Sequence, residues 1–76
     1  MDNKRRERLK TASCLIDRAY TIIESVLDRE QECVDNYPES FQDTDKYEKM
    51  EAAVEALEEA VDSLDDVRDQ IQIAIA

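Results

Sequence analysis

The sequence predicts an all-α fold: an antiparallel two-helix hairpin of coiled-coil type, expected to dimerise into a four-helix bundle. Three observations carry this reading. Apolar residues recur at steps of three and four in two long segments, glycine is absent, and the single proline lies between the segments. A chain of 76 residues makes one domain, 1–76, in a size range where a single core is marginal and a partner chain helps.

Helix one is expected over about 3–35. Its apolar series runs Leu9, Ala12, Ile16, Ala19, Ile23 and Val26, then passes through Glu30, Cys33 and Tyr37 as a heptad seam. Leu15 and Ile22 widen the stripe on one side, and Tyr20, Leu27 and Val34 on the other. A stripe this broad requires more than one neighbouring helix.

The pattern breaks over 36–44. Pro38 disfavours helical geometry at Tyr37 and lacks an N–H, while Asp35, Asn36 and Ser40 favour turns. At most a short helical turn is expected over Pro38–Gln42. Thr44 or Asp45 then serves as the N-cap of helix two, with Asp45 and Glu48 at capping-box spacing; Ser40 with Asp43 offers an earlier start.

Helix two, about 45–75, repeats the arithmetic through Tyr47, Met50, Val54, Leu57, Val61, Leu64, Arg68, Ile71 and Ile75. Ala53, Ala60, Val67 and Ala74 flank this seam and permit close approach. Folding the helices about the turn is expected to pair seam residues whose numbers sum to 80, such as Val26 with Val54 and Cys33 with Tyr47.

Glu30 and Arg68 break the apolar rule. They lie about equally far, on opposite sides, from a level at Tyr20–Thr21 and Glu59, so a second hairpin packed antiparallel about a two-fold there would set Glu30 of one chain near Arg68 of the other. A polar seam pair of this kind fixes register. The alternative is that each long side chain snorkels to solvent from its own helix. Self-association is accordingly assigned to Leu15, Tyr20, Ile22, Leu27, Glu30, Val34 and Arg68.

The net charge is −10, unevenly spread. Residues 1–10 hold five bases against two acids, a net of +3, which leaves −13 on the other 66. This polarity argues against a general nucleic-acid binder. The basic segment is expected to pair with Asp66 and Asp69 and the end of helix two.

Several chemistries lack their residues. There is no histidine, and two cysteines cannot close a zinc site. Cys14 and Cys33 are 19 positions apart in one helical pattern, roughly 28 Å at the helical rise and beyond disulfide reach. Reduced thiols suit an intracellular, cytoplasmic protein. Cys14 is expected on the outer face and Cys33 in the seam. No calcium loop fits the acidic turn, because neither window starting at Asp35 or Asp43 puts glycine sixth and glutamate twelfth. Carboxylates one turn apart, such as Glu58 and Asp62, have no histidine or desolvating surround, and Ser and Cys nucleophiles have no histidine base. No enzyme activity, cofactor or metal is expected, and no apolar run is long enough for a membrane span or secretion signal.

The outer faces of helix two carry Glu55, Glu58, Glu59, Asp62, Asp65, Asp66 and Asp69. Closely spaced carboxylates on a rod can occupy a basic groove built for phosphates, although a charge run more often only keeps a face solvated.

The stretch DNYPESFQDTDKYEKMEAAVEALEEAVDSLDD resembles a group of short proteins found in phages, prophages and their bacterial hosts. The resemblance rests on Asn36, Pro38, Glu39, Ser40, Gln42, Thr44, Asp45, Lys46, Glu48 and Met50, and covers roughly the second half of the chain. It implies a mobile-element setting, in which small acidic helical proteins act as inhibitors of host machinery, including defence nucleases in the manner of anti-CRISPR proteins. It carries over no catalytic or binding residue. The expected function is therefore a non-enzymatic interaction module. Its partners would be a second copy of itself and a host protein, such as one with a basic nucleic-acid-binding groove. A structural or assembly role is the alternative.

Overall fold

The computed structural model describes residues 1–76 as two long helices joined by a short turn, with no strand. Helix α1 spans Asn3–Asp35 and helix α2 spans Asp45–Ile75, with a single 3₁₀ turn at Glu39–Phe41 between them.

Local chemistry fixes each end. The Asp2 carboxylate accepts from the Arg5 N–H at 2.8 Å and caps α1. At the far end the Asn36 N–H donates to the Glu32 carbonyl, and Pro38 then takes an extended backbone. Of the two capping candidates, Thr44 starts α2: its hydroxyl oxygen accepts from the Tyr47 N–H at 3.3 Å. Asp45 and Glu48 occupy the first turn, where acids suit the helix dipole. The earlier start at Ser40 becomes the 3₁₀ turn instead, closed by the Phe41 N–H donating to the Pro38 carbonyl.

On α2 the side facing α1 is the expected one. Tyr47, Met50, Leu57, Val61, Leu64, Arg68, Ile71 and Ile75 are half-buried and Val54 is buried. On α1 the contact differs. Ser13 is buried and Tyr20, Leu27 and Val34 are half-buried, whereas Val26 and Cys33 are exposed. The seam follows Leu9, Ser13, Ile16, Tyr20, Ile23, Leu27, Glu30, Val34 and Tyr37, one residue further on at every second position than expected.

The register shifts with it. The Tyr37 and Tyr47 rings lie 5.4 Å apart, a pair whose numbers sum to 84 rather than 80. Ser13 with Gln72 and Asp17 with Arg68 sum to 85. Two heptad series compete on α1, and the one carrying Tyr20, Leu27 and Val34 buries more apolar surface than the one carrying Ala12, Ala19 and Cys33. The tyrosine pair at the turn locks the choice.

The result is a rod of 59 × 14 × 14 Å with a radius of gyration of 17.3 Å, against about 11 Å for a compact domain of this length. Only Val54 and Ser13 are buried. The accessible surface is 5917 Å², whereas a compact monomer of this mass exposes about 4,800 Å².

Candidate interaction site

The two long edges of the hairpin differ in chemistry. One edge is polar and closed. Arg68 Nη1 donates to the Asp17 carboxylate at 3.0 Å, its other terminal nitrogen meets Asp65, and the guanidinium carbon lies 4.8 Å above the centre of the Tyr20 ring. One turn toward the free ends, the Gln72 amide donates to the Ser13 hydroxyl at 3.4 Å. The Asp17 hydrogen bond holds the Arg68 pKa above its ordinary value. Burial raises the Tyr20 phenol, and Glu24 and then Asp65 raise it further.

This edge revises the predicted self-association set. Tyr20, Leu27 and Val34 are half-buried within the hairpin, and Arg68 pairs with Asp17 and Asp65 of its own chain rather than needing Glu30 of a second one. Asp65 likewise leaves the acidic face to serve Arg68. Asp17 and Ser13 escape the apolar-seam reading because both are polar; the signal for Asp17 is its position beside the α1 seam, opposite a lone seam arginine.

The other edge is apolar and open. Leu15 is 57% exposed, Ile22 63% and Val26 47%. Together with Ala12, Ala19 and Cys33 they form a second heptad series on α1, beside the hairpin seam, in which Ala12 and Ala19 are half-buried and Cys33 is exposed. The flanking series of α2 on this side is Ala53, Ala60, Val67 and Ala74, of which Val67 and Ala74 are exposed. Of the predicted self-association residues, Leu15 and Ile22 belong here, Glu30 is half-buried beside them, and Val26 joins from the expected seam.

The outer side of α2 presents Glu55, Glu58, Glu59, Asp62, Asp66 and Asp69, all exposed and none within ion-pair distance of a base. The basic end of α1 does not pair with Asp66 and Asp69 as expected. Arg5 meets Asp2 at 3.8 Å, Lys10 meets Glu7 at 3.3 Å, and Arg6 Nε donates to the Ile75 carbonyl at 3.2 Å. Arg6 thus serves the C-terminal end of α2 through its dipole rather than through a carboxylate.

Both thiols are exposed; Cys33 is not in the hairpin seam, because the register shift turns it outward. Surface depressions are open grooves, such as the one lined by Glu30, Cys33, Tyr37, Pro38, Lys46 and Met50 at the turn. No group of three metal-ligating side chains converges, and no helix is long and apolar enough to cross a membrane.

The geometry defines an acidic helical hairpin with one open apolar edge. Comparison with protein-family models, with curated proteins and with solved structures returns no match.

Proposed function

We propose that this chain is a small, acidic, non-enzymatic interaction module that self-associates through its open edge and binds and modulates a host protein, as an inhibitor in a mobile-element setting. The observation that carries the reading is the open edge itself. Leu15, Ile22 and Val26 stay in solvent although they form a continuous helical stripe, the signature of a face that another protein covers. The excess of about 1,100 Å² over a compact monomer is of the size that one partner of a stable interface buries. A dimer forming a four-helix bundle covers it.

The unpaired carboxylates of α2 supply the second surface. Their charge steers encounter with a basic partner such as a nucleic-acid-binding groove. Direct nucleic-acid binding is disfavoured by the net charge of −10.

Capture of host-lysate proteins on the immobilised chain at physiological salt tests the modulating role. A retained partner released steeply by added salt, whose own activity falls when the chain is added, is the expected result. Retention of nothing overturns it. The second reading, an assembly or oligomerisation protein with no inhibitory role, is favoured by the apolar edge alone and gains if the chain self-associates but leaves the activity of every captured protein unchanged.

A further inference from the structure

We propose that the open seam of α1 pairs antiparallel with the same seam of a second copy, with Ile22 of one chain in the layer of the partner's Val26 and Leu15 in the layer of the partner's Cys33. This rests on the self-association reading above and specifies its geometry.

The register follows from the residues that are exposed. Leu15, Ile22, Val26 and Cys33 are symmetric about position 24. In an antiparallel pair whose numbers sum to 48, every one of them meets another member of the set. Ala19 falls opposite Arg29, whose aliphatic stem lies along the seam while its charge reaches solvent.

Symmetry alone permits a parallel pairing too, and charge decides between them. Residues 3–18 carry six bases and two acids, a net of +4, and residues 30–45 carry six acids and no base, a net of −6. In the antiparallel register 13–18 lie along the partner's 30–35, and the basic 3–12 run past the end of the partner's α1 toward its acidic turn, in both halves of the dimer. A parallel register lays +4 beside +4 and −6 beside −6, which costs affinity throughout. At residue level, Arg18 and Glu32 are exposed and have no ion-pair partner within their own chain. They flank the seam on the same side, and the register sets Arg18 beside the partner's Glu32.

The arrangement also assigns the α2 helices. Residues 45–75 carry ten acids and three bases, a net of −7. Centring the dimer on α1 keeps the two α2 acidic faces on the outside, where both stay free for a basic partner.

Spin-label distances in the full chain test the orientation. With Cys14→Ser and Cys33→Ser as background, since both thiols are exposed, one label is placed by Ser25→Cys or by Thr11→Cys. The antiparallel register puts the Ser25→Cys labels near the two-fold, within about 25 Å, and separates the Thr11→Cys labels by about 40 Å at the helical rise. Two short and similar distances mean a parallel pair, which overturns this inference and leaves self-association standing. No dipolar signal from either variant overturns both. A charge swap reads the register independently. Arg18→Glu is expected to weaken the dimer about tenfold and Glu32→Arg in the same chain to restore it; no loss with Arg18→Glu, or no recovery with the second change, overturns the register.

Discussion

Arg68 of α2 reaches across the hairpin to the Asp17 carboxylate of α1 at 3.0 Å, with its guanidinium over the Tyr20 ring. This contact ties the middle of one helix to the last third of the other, and it explains how a lone arginine sits in an otherwise apolar seam. Its carboxylate partners cover its charge while the ring covers its face.

Asp17→Asn removes the charge on one side and leaves the stacking, so it is expected to lower the urea midpoint only slightly, because Asp17 is more than half exposed. Arg68→Ala removes the stacking and both ion pairs and leaves Asp17 and Asp65 facing each other, so its loss is expected to be clearly larger. Equal losses would mean that neither the ring contact nor the Asp65 pair contributes.

The hairpin is legible in the sequence because its determinants are local. The α2 seam has one apolar series flanked by alanines, so a single face qualifies, and Pro38 and Thr44 mark where the helices part. The α1 seam is not legible, because Ala12–Ala19–Val26–Cys33 and Ser13–Tyr20–Leu27–Val34 both run at heptad spacing. Only the tertiary contact of Tyr37 with Tyr47 and the gain from burying the larger side chains decide between them. Ser13 looks wrong for a seam until Gln72 is seen opposite it. The open edge is the series that loses, and so it becomes visible only once the winning one is known.

Tyr20 is expected to make stability depend on pH in the alkaline range. Burial first, then Glu24 and Asp65, raise its pKa above the ordinary 10.0. A raised folded-state pKa contributes stability that is complete below the unfolded value and is lost as pH rises through the folded one. The difference in thermal midpoint between the natural chain and Tyr20→Phe is therefore expected to be constant below pH 10.0 and to move in favour of the phenylalanine variant above it. A difference that stays flat through this range would show that the phenol is not held by its surroundings.

Thr44 caps α2 through its side-chain oxygen. Thr44→Ala is expected to cost about 1 kcal/mol in urea unfolding and Thr44→Asp to retain most of the stability. If both substitutions cost the same, the cap is not what starts the helix.

Val54 is the one buried apolar side chain of the hairpin. Val54→Ala removes two carbons from the seam and is expected to cost about 1.5 kcal/mol. Ile73, which is 76% exposed at the far end of α2, gives the contrast: Ile73→Ser is expected to leave the unfolding midpoint unchanged. The same loss at both positions would place Ile73 in an interface.

In the proposed assembly the Leu15–Ile22–Val26 edge of the hairpin is covered by a second copy of the chain. Sedimentation equilibrium of the natural chain beside Ile22→Glu tests it most directly, because Ile22 touches the open edge and not the hairpin seam. A reversible dimer is expected for the natural chain and a helical monomer for the variant. A natural chain that remains monomeric across the concentration range, or a dimer indifferent to a charge at Ile22, would contradict it.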